Sequence, residues 1–98
     1  MELHHVLVYD YVADILERRG PHRDAHLAHA GAARDAGRLL SLGALGDPPH
    51  GALGVFAPGV TVEEVEAFAA EDPYVLAGLV TARRVEPWTV AVSATVGG

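Results

Sequence analysis

Six histidines and thirteen acidic side chains, with no cysteine, supply the chemistry of this 98-residue chain. Without a thiolate, catalysis has to run through imidazole and carboxylate, and disulfides, iron–sulfur clusters and cysteine-based zinc sites are excluded together. His22, His26 and His29 fall within about 60° of one another on a helical wheel. His22 and His26 have the spacing at which two imidazoles on adjacent turns share a metal ion. No Glu follows either His in the manner of a metalloprotease helix, and His29 lies too far along the axis from His22 to complete one site, so no metal is expected. His22 and His29 read as helix-surface or boundary residues. His26 differs, because the wheel sets it at a seam beside Ala30 and Ala33, from which a side chain looks along the sheet into a cleft. An imidazole there is a general base or acid if something orients it. Asp72, at a helix exit fixed by Pro73, offers the orienting carboxylate; its other reading is a turn-former before proline.

These side chains are positioned by a short series of elements. Leu3 to Tyr9 is apolar on both alternating faces and reads as an interior strand. Asp10 to Gly20 turns polar and reads as a loop with some helical turn. Pro21 to Gly37 has helical spacing, with Pro21 suited to the first turn and Gly37 just beyond the last. Its charged side holds Arg23, Asp24, Arg34, Asp35 and Arg38, and the opposite side, Ala25, Ala28, Ala32, Ala36 and Leu39, is expected to cover a sheet. Leu27 falls among the charges, as an exposed residue able to touch a partner subunit.

Leu39 to Gly46 and Gly51 to Ala57, around Asp47-Pro48-Pro49-His50, predict an antiparallel hairpin whose glycines leave room for close backbone approach or a ligand. Thr61-Val62-Glu63-Glu64 is a capping box, and the helix it starts buries Val62, Val65, Phe68 and Ala69. Asp72-Pro73 stops that helix, Val75 to Gly78 adds one short turn, and Leu79 to Val92 is a last strand, with Pro87 marking an edge position or a bulge. Ser93 to Gly98 is expected to fray. Strand, helix, strand, strand, helix, strand is the split βαβ order: a single α+β domain over residues 1–98, a ferredoxin-like βαββαβ sandwich with a four-stranded antiparallel sheet and helices on one face. The other sheet face needs cover, and a second copy of the chain is the simplest cover.

Composition narrows the partners. The net charge is −6, with seven arginines and no lysine, which is no footprint for nucleic acid. Residues 39–62 hold one fully charged side chain, Asp47, but glycines and prolines break the stretch, so a membrane span is not expected. The N-terminus lacks the features of a signal peptide, and with no cysteine the chain fits a cytoplasmic setting.

The blocks Ala13 to Arg19, Arg23-Asp24-Ala25-His26-Leu27, Gly37 to Gly43, Asp72 to Gly78 and Val85-Glu86-Pro87-Trp88 resemble, in order and interval, those of the YciI-like (YCII-related) family. The resemblance covers nearly the whole chain and implies a ferredoxin-like fold assembled as a homodimer in the dimeric α/β-barrel group. It implies a site centred on a His and an Asp, roles that fall on His26 and Asp72, with Arg23 binding an anionic group of a substrate or holding the helix to a neighbouring loop, and Tyr74 of the Asp-Pro-Tyr block contacting substrate. Asp24 stands where the family often has proline, and the hairpin turn from Gly46 to Gly51 is short, so substrate choice is not carried over. The expectation is a small-molecule enzyme without an external cofactor, of isomerase, lyase or elimination type, moving a proton on a carbonyl-bearing or cyclic acid. The competing expectation is a non-catalytic ligand-binding or regulatory domain, since the fold alone does not decide between them.

Overall fold

The computed structural model describes residues 1–97. Its elements run β1 (Glu2–Tyr11), α1 (Ile15–Arg18), α2 (Gly20–Asp35), β2 (Leu39–Leu45), β3 (Gly51–Phe56), α3 (Val62–Glu71), α4 (Pro73–Leu76) and β4 (Val80–Val90). The four strands form one antiparallel sheet in the order β2-β3-β1-β4, which is the ferredoxin-like arrangement. The strand that is apolar on both faces, β1, is interior, and Pro87, which has no N–H to donate, lies on the edge strand β4 opposite His5.

The register assigns the faces. Leu7, Tyr9, Ala52, Phe56 and Leu39 point to the helix layer and join Ala30, Ala33, Val65, Phe68 and Ala69 in the main core. Across the sheet, Val6 and Val8 of β1 sit beside Val55 and Leu53 of β3, and His4 sits opposite Trp88 of β4. That second face has no helix over it, and Trp88 remains 49% exposed. Gly51 is buried where β3 crosses β1, and a Cβ there would collide with the backbone carbonyl of Tyr9. The hairpin glycine serves close strand approach.

The helices correct three expectations. Asp10 and Tyr11, expected in the loop, extend β1, while the helical turn expected in that segment is Ile15–Arg18, anchored by buried Ile15. Helix α2 buries His26, Ala30 and Ala33, while Ala25, Ala28, Ala32 and Ala36 are exposed. An alanine methyl carries about 0.8 kcal/mol of burial preference, too little to orient a helix against two histidines with polar partners inside. Those partners are Asp72 for His26 and the carbonyl of Phe68 for His29, which accepts from Nε2 at 2.8 Å. The short turn after α3 spans Pro73–Leu76, not Val75 to Gly78, because Asp72 caps it directly and Pro73 opens it.

The ends of α2 and α3 follow the residues expected there. Gly37 takes φ +79°, and the N–H groups of Gly37 and Arg38 donate to the carbonyls of Arg34 and Ala33, a Schellman closure. Thr61 Oγ1 accepts from the Glu64 N–H at 3.2 Å. The Glu64 carboxylate accepts from the Thr61 hydroxyl, so the expected return bond to the Thr61 backbone is replaced by a side-chain one. Helix α3 buries Val65, Phe68 and Ala69, with Val62 half-buried at its start. At the C-terminus, Ser93 Oγ accepts from the Val96 N–H at 2.9 Å and closes a bend where fraying is expected; Gly98 lies outside the described residues. No helix among the described residues is long and apolar enough to cross a membrane.

Candidate functional site

Four separate elements converge on one carboxylate. Asp72 ends α3 in an extended conformation (φ −66°, ψ 125°) and caps α4 in the same stroke, its Oδ1 accepting the Tyr74 N–H at 2.9 Å. The turn-forming reading of Asp72 corresponds to this cap. From α2, His26 Nδ1 lies 2.8 Å from the same Oδ1. From β1, the Tyr9 hydroxyl donates to Oδ2 at 2.9 Å. Asp72 is 0% exposed, so these three donors are its solvation.

A carboxylate is an acceptor, which places a proton on Nδ1, so that in the neutral ring the lone pair is on Nε2. Nε2 makes no hydrogen bond, and every buried side-chain nitrogen or oxygen among the described residues has a partner. Nε2 is therefore not completely buried, although the residue as a whole is only 4% exposed. Tyr74, from α4, lies flat on the imidazole, with ring centres 3.7 Å apart and planes 3° from parallel. Tyr11 meets Tyr74 edge-on at 5.9 Å. The ring is thus fixed by a hydrogen bond at one atom and a stack across its face, with little freedom left to rotate.

Above this floor opens a cleft of about 170 Å³, lined by Tyr11, Arg19, Arg23, His26, Leu27, Leu42 to Ala44 of β2, and Tyr74. A larger hollow of about 310 Å³ between α2 and α3 includes His29 and Phe68 but neither His26 nor Asp72, so the smaller cleft is the one that meets the imidazole. All four residues singled out from the sequence, His26, Asp72, Arg23 and Tyr74, come together at or beneath this cleft. Leu27, expected as an exposed oddity, forms part of its wall.

Burial pushes the Tyr11 phenol up to about 12, helped by Tyr74 and Asp72. Burial likewise pushes Tyr74 up, against the pull of Arg19 and Arg23, and drives Tyr9 higher still, reinforced by the charge and hydrogen bond of Asp72. All three phenols are neutral at ordinary pH.

Tyr9, Tyr11 and Arg19 are the residues that sequence reasoning passed over. Period-two alternation along β1 puts Tyr9 and Tyr11 on one face, and Arg19 precedes Arg23 by one helical turn, so both signals were present. Reading Asp10 to Gly20 as a loop hid Tyr11 and Arg19, and Tyr9 was read only as part of a strand. Among the described residues no three His, Asp or Glu side chains form a ligand set, and His22, His26 and His29 do not converge.

Among solved structures, the chain is similar to 5-chloro-2-hydroxyhydroquinone dehydrochlorinase (TftG) from Burkholderia phenoliruptrix in complex with 2,5-dihydroxybenzoquinone, with TM-score 0.72, 22% identity, and coverage of 88% of this chain and 93% of that one. It is also similar to a NIPSNAP family protein from Agrobacterium tumefaciens, with TM-score 0.60, 12% identity, and coverage of 98% and 97%. At these identities the likeness shows the shared fold. By sequence, Protein YciI of Escherichia coli is 40% identical over 84 residues, covering 78% of this chain and 86% of that protein. Protein YciI of Shigella flexneri matches to the same extent. The YCII-related domain description matches residues 3–89, and with the order of blocks from Arg23 through Asp72 it makes the chain a member of the YciI-like, YCII-related family.

Proposed function

We propose that this protein is a small-molecule enzyme in which His26 transfers a proton, with Asp72 orienting the ring. The observation that carries the reading is the 2.8 Å contact between His26 Nδ1 and Asp72 Oδ1 beneath a cleft that also holds Arg23. Nε2 takes a proton from the carbon beside a carbonyl, and the C–H electron pair forms a C=C π bond as the carbonyl π pair withdraws onto oxygen; that pair returns when the enolate is reprotonated or expels a leaving group. In an isomerisation the proton returns at another carbon; in an elimination a leaving group departs with its bonding pair from the next carbon. Asp72 keeps the tautomer and opposes the positive charge the ring acquires. Tyr74 holds the ring plane, and Arg23 binds an anionic group of the substrate. The dehydrochlorinase similar in fold carries out an elimination by its name, which favours this class over hydrolysis.

We also propose that a second copy of the chain covers the open sheet face of Val6, Val8, Leu53, Val55 and Trp88, giving a dimeric α/β barrel. The experiment for the catalytic reading is a screen of small carbonyl and cyclic acids for proton exchange into deuterated water, followed by His26→Ala and Asp72→Asn. Both variants are expected to stay folded and to lose turnover by at least about a hundredfold, the usual contribution of a positioned acid–base group. A substrate converted equally well by both variants removes the pair from the chemistry. A ligand that binds within a few-fold of wild type in both variants and never exchanges a proton makes the protein a binding module.

A further inference from the structure

The charge around the cleft runs opposite to that of the molecule. Thirteen carboxylates face seven arginines in the sequence, yet no Asp or Glu lines this cleft, while Arg19 and Arg23 both do. Of the five arginines elsewhere, three are paired, Arg18 with Asp14 at 3.6 Å, Arg34 with Asp35 at 3.0 Å and Arg84 with Glu86 at 2.9 Å, while Arg38 and Arg83 lie beside acidic residues, Glu64 and Glu71 for Arg38 and Glu66 for Arg83, that line the same hollows. Arg19 and Arg23 make no ion pair among the described residues. The Asp72 charge beneath them is sealed by its own three donors and is not open to the arginines as a partner.

Placement makes the two guanidinium groups a pair. Arg19 caps α1 and opens α2 in helical geometry (φ −73°, ψ −24°), so Arg23 follows one turn later on the same side. Both act electrostatically on the Tyr74 phenol, which sets them within range of the imidazole stacked on it. The remaining walls are Leu27, Leu42, Gly43 and Ala44, apolar or bare backbone. Two unneutralised cations over an apolar cleft in an acid-rich protein leave a deficit of two negative charges, and a guanidinium fork matches a carboxylate in plane and spacing.

We infer that the substrate is a small dicarboxylate, with one carboxylate held by Arg19, the other by Arg23, and its carbon frame against Leu27 and Leu42 above the His26 ring. The inference rests on the proposed function for the location of the site, but binding itself needs no proton transfer.

The probes are maleate and succinate, with butyrate and inorganic phosphate as comparisons, titrated calorimetrically into the intact protein at low salt, where ion pairing is least screened. Succinate or maleate is expected to bind at least about tenfold more tightly than butyrate, the scale of one charge-assisted bidentate contact. Arg19→Gln and Arg23→Gln are each expected to lower dicarboxylate affinity to the butyrate level, while Arg34→Gln, on the exposed helix face, leaves it unchanged. Butyrate or phosphate binding as tightly as succinate overturns the inference, as does a dicarboxylate preference that survives Arg19→Gln. Asp72→Asn separates this from the catalytic reading, because it is expected to keep the preference for dicarboxylates. If dicarboxylates bind through both arginines and none exchanges a proton with deuterated water, the substrate inference stands as a ligand class and the proton-transfer reading falls.

Discussion

Tyr9→Phe deletes one oxygen and leaves the ring packed in the core. That oxygen donates to Asp72 Oδ2 at 2.9 Å, while His26 and the Tyr74 N–H both serve Oδ1. Oδ2 belongs to a side chain with 0% exposure, so the variant leaves a carboxylate oxygen with no donor and no route to water. A hydrogen bond to a charged group contributes about 1.5–3 kcal/mol, and the orphaned acceptor brings its desolvation penalty into the same range. For a domain of this size that corresponds to a fall in Tm of roughly 6 °C or more. The assay is urea unfolding followed by circular dichroism at one fixed protomer concentration, since dimerisation would add a mass-action contribution. The midpoint is expected to fall with the slope unchanged. Tyr11→Phe is the internal comparison, because the Tyr11 hydroxyl makes no hydrogen bond among the described residues, and it is expected to stay within about 0.5 kcal/mol of wild type. In an Asp72→Asn background the Tyr9→Phe cost is expected to shrink, which a double-mutant cycle reads directly. A Tyr9→Phe loss no larger than that of Tyr11→Phe would refute the claim that Oδ2 depends on this phenol.

Unfolded tyrosines release their protons near pH 10, whereas burial holds Tyr9 and Tyr74 higher and Tyr11 to about 12. Above about pH 10 the unfolded chain therefore binds fewer protons than the folded one and stability falls as pH rises, for Tyr11 through about 12, so phenolate absorbance is expected to appear together with unfolding. Native protein ionising all three tyrosines near pH 10 contradicts it. The open sheet face predicts a dimer in sedimentation, with emission from the single tryptophan, Trp88, shifting to the blue as concentration rises, and a folded monomer for Leu53→Asp. A wild-type chain that sediments as a monomer at all concentrations refutes the pairing.

The parts of the fold that were legible in the sequence are those with redundant local signals. β1 is apolar on both faces and is interior; Thr61 to Glu64 is a cap and α3 starts there; Pro73 breaks one helix and starts the next. The orientation of α2 was not legible, because its alanines are spread around the wheel and differ little in what they gain by burial. Its buried face is decided by distant groups, Asp72 and the Phe68 carbonyl, which lie 46 and 39 residues away in the chain. The candidate site divides in the same way. His26 and Asp72 could be named from position and resemblance, but the three-donor shell of Asp72 depends on tertiary placement of Tyr9, 63 residues from it. The stack of Tyr74 on His26 is likewise a product of packing, with no pattern in the sequence to announce it.

The position of Asp72 bears on why the network exists. A carboxylate removed from water gains little net stability over an apolar residue of similar volume, because the cost of desolvation offsets most of what its partners return. Here three donors from α2, β1 and α4 are committed to one side chain that does not itself line the cleft. An apolar residue at this position would fill the same space but leave three buried donors, the Tyr9 hydroxyl, His26 Nδ1–H and the Tyr74 N–H, without an acceptor. It could not fix a proton on His26 Nδ1, nor could it oppose a positive charge arriving at that ring through Nε2. On the proposed function the network holds the ring and the tautomer of His26, and the tie between helices and sheet is the structure through which they are held.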